Sequence, residues 1–238
     1  QQQLNPAVES YLKVLNLFPE GETSVEALGE LARVYLELDD EFSADVTMRY
    51  IAERFSKSPA YMSKAGEQLL RIAGIFDEKK KSAKRDELYT IFFKNFTKHS
   101  ATPALIFRLG NQKMDADDAA AALEYYKRIT DNYTNSNLYF PALSQVASCY
   151  GKLGQSTNEI QILENIVTQL EKEKSPGHML VNAKFRLAIA YKQSDPKYIP
   201  NSINRLSELV KMLTEKGAMY QNSKEEAAAN TNILEAAI

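Results

Sequence analysis

Large side chains recur along this chain at intervals of 37 to 43 residues, and that spacing restricts the possible folds more than any other feature. Self-similarity at this period is typical of stacked structural repeats, in which each unit buries its apolar side on its neighbours. The spacing therefore predicts a repeat array. One set of markers ends helix-like segments: Phe18, Phe55, Phe96, Tyr133, Leu170 and Leu213. The other lies within the following segments: Tyr35, Phe76, Lys113, Tyr150 and Tyr191.

Within each interval the apolar residues follow the period of an α-helix. Segment 26–38 carries them at positions 28, 31, 34, 35 and 38, which lie on one helical face. Segment 43–55 continues the period, and no segment alternates with a period of two for long enough to form a strand. The pattern predicts an all-α protein, in which the buried face of segment 43–55 carries Val46, Tyr50, Ile51 and Phe55.

Several short motifs mark where the helices are expected to start. Thr23 stands three residues before Glu26, as in a capping box. The pairs Ser58-Pro59 and Thr102-Pro103 each offer a capping side chain followed by proline. We assign the longer intervals to insertions in two turns, the lysine-rich turn after Phe76 and the SDPKYIP segment.

The segments align as pairs, each with a helix A, a short turn and a helix B. The alignment predicts one array over 1–238, with about five full units and a half-unit at each end. The chain ends in the middle of this pattern, which suggests a piece of a longer array or a last helix that caps itself. The predicted segments are 6–18, 24–56, 59–98, 102–134, 139–173, 178–216 and 224–238.

Composition excludes several classes of function. The net charge of −2 creates no field that favours nucleic acid, and no apolar run approaches the length that spans a bilayer. We therefore expect no nucleic-acid partner and no membrane insertion by this segment. The single cysteine, Cys149, excludes an internal disulfide.

No set of residues indicates catalysis or a cofactor. His99 and His178 are 79 residues apart, without neighbours at metal-ligand spacing, and are expected at surface turns. Cys149 has no nearby histidine to act as a base, so a packed thiol is expected. The basic run 79–85 lacks interleaved aromatic residues, which favours a solvated, mobile turn over a phosphate-binding site. The sequence predicts a non-enzyme without a metal ion or cofactor.

The repeated unit resembles the tetratricopeptide repeat (TPR), a helix–turn–helix of about 34 residues. The first unit carries its pattern of a large residue, a small one, an aromatic three further on and a small one nine after that: Leu31, Ala32, Tyr35 and Ala44. The later units repeat it in part, at Ile72, Ala73 and Phe76, at Leu109, Gly110 and Ala122, at Val146, Ala147 and Tyr150, and at Leu187, Ala188 and Tyr191. The chain lacks the tryptophan of the family, and its longer units are similar to those of bacterial cell-envelope TPR proteins.

This resemblance implies a right-handed α-solenoid whose concave groove is lined by the A helices and binds peptides. Arginine occupies three equivalent positions on these helices, and arginine beside an aromatic residue is typical of binding hot spots. The alternative is that these arginines only solvate the face or pair with acidic residues of neighbouring repeats. The candidate groove residues are Arg33, Arg71, Phe107, Arg108, Asn111, Gln145, Phe185 and Arg186.

Two functions follow as expectations. The first is a non-catalytic scaffold that binds a protein or peptide, acidic in character, in the groove. The second is a structural spacer or oligomerisation array within a larger envelope or multidomain protein, with self-association and no dedicated ligand. The envelope resemblance favours a periplasmic or envelope-associated location over the cytoplasm.

Overall fold

A computed structural model describes residues 5–172, 177–216, 220 and 223–238 of this chain. Within these residues it contains twelve α-helices and no strand, which confirms the all-α prediction. A short 3-10 helix, Pro196–Tyr198, lies in the predicted SDPKYIP turn. The helices α1 to α12 are Pro6–Leu17, Glu22–Glu37, Glu41–Phe55, Met62–Glu78, Ser82–Asn95, Thr102–Asp115, Ala119–Asn132, Tyr139–Lys152, Ser156–Leu170, Gly177–Ser194, Ile199–Lys216 and Lys224–Ala237.

The helices form two compact units, residues 1–102 and 103–238. In unit 1, α2 packs on α3 and α4 on α5 as antiparallel pairs, and α1 packs on α2. In unit 2, α8 packs on α9 and α10 on α11 in the same way, while α12 packs on both α10 and α11. Each unit is therefore a stack of helix pairs of the predicted kind.

Small residues let the helices within each unit approach closely. The small residue after the large apolar one is fully buried at Ala32, Ala73, Ala147 and Ala188, as the repeat pattern predicts. Large side chains fill the remaining space, and full burial of each contributes about 1.5–3 kcal/mol. The largest fully buried ones include Ile51, Leu69, Ile72, Phe92 and Phe96 in unit 1 and Tyr126, Leu163, Ile166, Leu187 and Leu209 in unit 2.

In four of the turns between a helix A and its helix B, one residue has a left-handed backbone conformation, which the sequence alone did not indicate. These residues are Asp39, Lys80, Asp117 and Gly154, with φ between 56° and 69°. The amide after each donates to the carbonyl of a repeat marker, namely Tyr35, Phe76, Lys113 and Tyr150, at 2.8–2.9 Å. This hydrogen bond is that of a Schellman motif. Because glycine fills only one of the four positions, residue type was a poor guide to the conformation.

The helix-start predictions for α2 and α4 were wrong. Gly21, with φ 123°, is the N-cap of α2, so Thr23 lies inside the helix and forms no capping box. Helix α4 begins at Met62 and not at Pro59. The carbonyl of Ser58 accepts hydrogen bonds from the amides of Tyr61 and Met62. The insertion that we assigned to the lysine-rich turn is not there, because the 79–81 turn is no longer than the other turns between a helix A and its helix B. Helix α4 itself, with 17 residues, is longer than the 14-residue α6.

Three surface assignments also need correction. Val46 and Tyr50 are exposed rather than buried, whereas Ile51 and Phe55 are in the core as expected. His99 is buried, since its Nε2 lies 3.0 Å from the carbonyl of Ser63 and its ring packs against Phe92 and Phe96. In the basic run, the Lys79 ammonium donates to the Leu36 carbonyl at 2.9 Å and Lys81 pairs with Glu41, so this turn is held in place.

Candidate interaction surface

The candidate interaction surface of each unit consists of the predicted groove residues on the A helices and the polar side chains next to them. We call it the A-helix face. In unit 1 it comprises Glu26, Glu30 and Arg33 of α2 and Lys64 and Arg71 of α4. In unit 2 it comprises Arg108 and Asn111 of α6, Gln145 and Ser148 of α8, and Arg186 of α10.

Ion pairs cover the A-helix face of unit 1. The Arg71 Nη2 lies 2.6 Å from the Glu30 Oε1, and the Arg33 Nε lies 2.8 Å from the Glu30 Oε2. Arg33 also pairs with Glu37, and the Lys64 Nζ lies 2.7 Å from the Glu26 Oε1. Two of the predicted groove arginines are therefore neutralised within their own unit.

Glu30 is the centre of this network. Burial favours the neutral carboxyl, but the hydrogen bonds and charges of Arg33 and Arg71 outweigh burial and hold the pKa of Glu30 below its ordinary value. The carboxylate therefore stays ionised at neutral pH and joins two successive A helices, α2 and α4.

Arg186 has different surroundings in unit 2. Its Nη1 donates to the Ser144 Oγ at 2.6 Å and to the Ser144 carbonyl at 3.1 Å, and its Nη2 donates to the Ser148 Oγ at 2.8 Å. Among the residues that the structure describes, no carboxylate lies within ion-pairing distance of this guanidinium. Arg186 is thus a half-buried cation held by neutral oxygens of the preceding A helix.

Glu159, at the start of α9, is the acidic group that influences Arg186 from further away. Burial raises the pKa of the Glu159 carboxyl, and the charge of Arg186 partly offsets this effect. Burial likewise lowers the pKa of Arg186, with a partial offset from Glu159. The two side chains interact without a direct hydrogen bond, so each retains part of the cost of burying a charge.

The aromatic candidates take part in packing. The ring of Phe107 lies 5.4 Å from that of Tyr126, whose hydroxyl donates to the Asn111 Oδ1 at 2.6 Å. Phe185 packs against a buried cluster that includes Leu209 and Ile233. Both rings are half-buried.

The remaining candidates differ in exposure. Arg108 is exposed on α6, and Gln145 is half-buried on α8 next to Ser144. The alternative that the arginines pair with acidic residues of neighbouring repeats describes Arg71, which pairs with Glu30 at the equivalent position of the preceding repeat. Ser144 and Ser148 gave no signal in the sequence, because hydroxyls are common on helix surfaces.

The reactive side chains outside this surface are involved in packing. Cys149 is fully buried as expected, and burial raises the pKa of its thiol, which disfavours the nucleophilic thiolate. Within the described ranges, no three histidine, cysteine or acidic side chains cluster in a way that could hold a metal ion. In the same ranges, no helix is both long and apolar enough to span a bilayer.

Comparison with known proteins finds similarity at the level of structure. No protein-family model matches the chain, and no curated protein matches it. Among solved structures, a putative kinesin light chain of Podosopora anserina with TPR-like repeats is 15% identical, with a TM-score of 0.49 over 84% of this chain and 99% of that one. BtubC (BKLC) from P. vanneervenii is 14% identical, with a TM-score of 0.47 over 88% and 89%.

A third structure, the complex of the TPR2AB domain of yeast Sti1 with pHSP90, is 15% identical, with a TM-score of 0.42 over 97% of this chain and 90% of that one. At TM-scores below 0.5, these similarities assign neither a family nor a function to this chain. Within each unit, the stacked helix pairs form an all-α repeat fold, and the repeat register in the sequence resembles that of TPR proteins.

Proposed function

We propose that this chain is a non-catalytic scaffold that binds a peptide or protein segment on its A-helix face. A stack of helix pairs buries its apolar residues between neighbouring helices, which leaves this face to polar and charged side chains. Such a surface can recognise an extended chain through several repeats at once, since each A helix contributes equivalent positions.

The observation that carries the proposal is the state of Arg186. Arginine donates well to carboxylates, and bidentate pairing adds both strength and orientation. The charge of Arg186 is balanced only from a distance by Glu159, while its hydrogen bonds go to Ser144 and Ser148. A ligand carboxylate would supply the close negative charge that this guanidinium lacks.

We therefore assign recognition of an acidic group to unit 2. The corresponding arginine of unit 1, Arg71, already pairs with Glu30, so an acidic ligand would have to displace a resident carboxylate there. In unit 2 the ligand would meet Arg186 and the adjacent amide of Gln145, with Arg108 and Asn111 on α6 as further candidates.

Binding of a peptide array with acidic, neutral and basic members tests the proposal. We expect the acidic members to bind and the Arg186→Gln and Arg108→Gln variants to weaken this binding by about tenfold each, the loss of one charge-assisted hydrogen bond. The Arg186 variant also needs a thermal unfolding curve, because this side chain joins α8 and α10 and its loss lowers stability.

Arg205→Gln is the matched control, since Arg205 lies on the B helix α11 of the same unit and pairs with Glu208. Equal weakening by Arg205→Gln and Arg186→Gln would show that binding follows net charge and not the A-helix face. Unchanged binding in both A-helix variants would contradict the site assignment.

Other expectations from the sequence remain predictions. They are the continuity of a single array over 1–238, the envelope-associated location and the spacer function. The last of these requires a surface for self-association outside the A-helix face.

A further inference from the structure

Three exposed apolar side chains form a ridge along α3 of unit 1. Phe42, Val46 and Tyr50 are 78%, 50% and 48% exposed and are spaced by four residues, so they follow one another along one side of the helix. The buried side of α3, which carries Ala44, Ile51 and other residues, faces the opposite direction. The ridge therefore points away from the core of its unit.

This ridge differs from the scattered apolar residues of an ordinary surface. Single exposed apolar residues are common, but a contiguous row that includes two aromatic rings is typical of an interaction site. Tyr50 is also oriented, because its ring packs edge-on against that of Phe55 at 6.4 Å. The i, i+4, i+8 spacing is that of a ridge that fits the groove of another helix.

The charges beside the ridge are segregated along the helix. Residues 39–45 contain four acidic residues and no basic one, whereas residues 49–57 contain three basic residues and one acidic. A helix with an acidic start and a basic end is complementary to a copy of itself that runs in the opposite direction.

We propose that the ridge Phe42–Val46–Tyr50 is a homodimer interface, in which α3 packs antiparallel against α3 of a second copy. A two-fold axis at Val46 places Phe42 of each copy opposite Tyr50 of the other. The same axis brings Arg54 of one copy to the Asp39–Asp40 turn of the other. This interface lies outside the A-helix face and supplies the self-association that a spacer or oligomerisation array requires.

The present partners of these charges do not oppose the pairing. Arg54 pairs with Glu20, Arg49 pairs with Asp45 and Glu87, and Glu41 pairs with Lys81, in ion pairs whose side chains are 31–68% exposed. Exposed ion pairs contribute little to stability, so their side chains can re-pair across an interface at small cost. An amphipathic helix of another protein would also fit the ridge, but the opposite charges of the two ends favour a second copy.

Sedimentation velocity over a concentration series tests the dimer. We expect the full chain to dimerise reversibly and Val46→Glu to remain monomeric, because this substitution places two like charges at the two-fold axis. Ile203→Glu is the matched control, since Ile203 is a similarly exposed residue of a B helix, α11, in unit 2. A monomeric wild type, a dimer that survives Val46→Glu, or equal loss in Ile203→Glu would overturn the proposal.

Disulfide crosslinking tests the orientation. An antiparallel pair centred on Val46 separates the two copies of residue 42 by about 12 Å along the helix, whereas a disulfide spans Cα atoms up to about 7 Å apart. We expect Val46→Cys to crosslink with itself, and Phe42→Cys to crosslink with Tyr50→Cys but not with itself. Cys149 is fully buried and does not interfere.

One crosslinking result would contradict the antiparallel arrangement. Efficient self-crosslinking of Phe42→Cys, without a Phe42→Cys to Tyr50→Cys product, would show a parallel pair and overturn the antiparallel arrangement. Retained peptide binding by the monomeric Val46→Glu chain would separate this interface from the A-helix face.

Discussion

Gly66 and Gly74 lie on the same helix, α4, in opposite surroundings. A Cβ at Gly66 would lie 2.5 Å from the Cδ2 of the buried His99 ring, whereas a Cβ at Gly74 meets nothing within 4 Å. Alanine favours a helix over glycine by about 1 kcal/mol, so the two sites differ only in the clash. Gly66 thus provides the space that His99 fills.

We predict opposite effects of the same substitution at these two sites. Gly66→Ala should destabilise the protein by about 1–3 kcal/mol, because the rigid ring cannot move out of a packed core. Gly74→Ala should stabilise it by about 0.5–1 kcal/mol through helix propensity. Urea unfolding at neutral pH measures both, and destabilisation by Gly74→Ala would contradict the account.

The left-handed turn residues give a second prediction at the residue scale. Lys80 has φ 56° and Gly154 has φ 69° at equivalent positions, although only glycine adopts this conformation without strain. Lys80→Gly should therefore stabilise unit 1 by up to about 1 kcal/mol, and Gly154→Ala should destabilise unit 2 by about the same amount. Thermal unfolding of both variants checks this, and a loss of stability in Lys80→Gly would contradict it.

At the scale of elements, the ion pairs between α2 and α4 make their packing dependent on pH. The pKa of Glu30 is lower in the folded protein than in the unfolded chain, where it is about 4.3. The ion pairs of Glu30 therefore contribute fully to stability above about pH 4.3, and this contribution is lost as the pH falls through the folded pKa. We expect Glu30→Gln to cost up to about 1 kcal/mol at pH 7 and progressively less as the pH falls below the pKa of the unfolded chain.

Glu67→Gln is the control for this prediction. Glu67 is exposed on α4 and accepts only the Ser63 hydroxyl, at 3.3 Å. Chemical unfolding across this pH range should therefore show little change for Glu67→Gln. An effect of Glu30→Gln that is independent of pH would show that Glu30 acts through packing and not through its charge.

The helices themselves were the most predictable elements. Their period follows from local spacing, and the described residues form helices and no strand, as this period predicts. Their starts were less predictable, because a cap depends on backbone angles such as φ 123° at Gly21 rather than on a residue pattern. The repeat register aligned the arginines at equivalent positions of the A helices, but it did not determine which groups surround each of them.

At the scale of the whole molecule, unit 2 should be sensitive to alkali. Burial raises the pKa of Tyr126 to about 12, and burial together with Glu164 raises the pKa of Tyr191 to about 12. An unfolded tyrosine ionises near pH 10, so the stability from these groups is complete below pH 10 and is lost as the pH rises through about 12.

Ultraviolet titration of the folded protein measures this. We expect two tyrosines to ionise near pH 12 or only on unfolding, and Tyr126→Phe and Tyr191→Phe each to remove one of them. Titration of all thirteen tyrosines near pH 10 in the folded chain would contradict the prediction.

The sequence alone determined that this protein is a stack of helix pairs, because the helical period and the repeat interval are properties of neighbouring and equivalent residues. Only the tertiary structure decided that Glu30 neutralises Arg71, since these residues are 41 positions apart and pair through packing of α2 on α4. Packing likewise decided that Val46 and Tyr50 point outward, although they follow the same period as the buried Ile51. Periodicity relates residues to one another on a helix, but the neighbouring helices determine which side is covered.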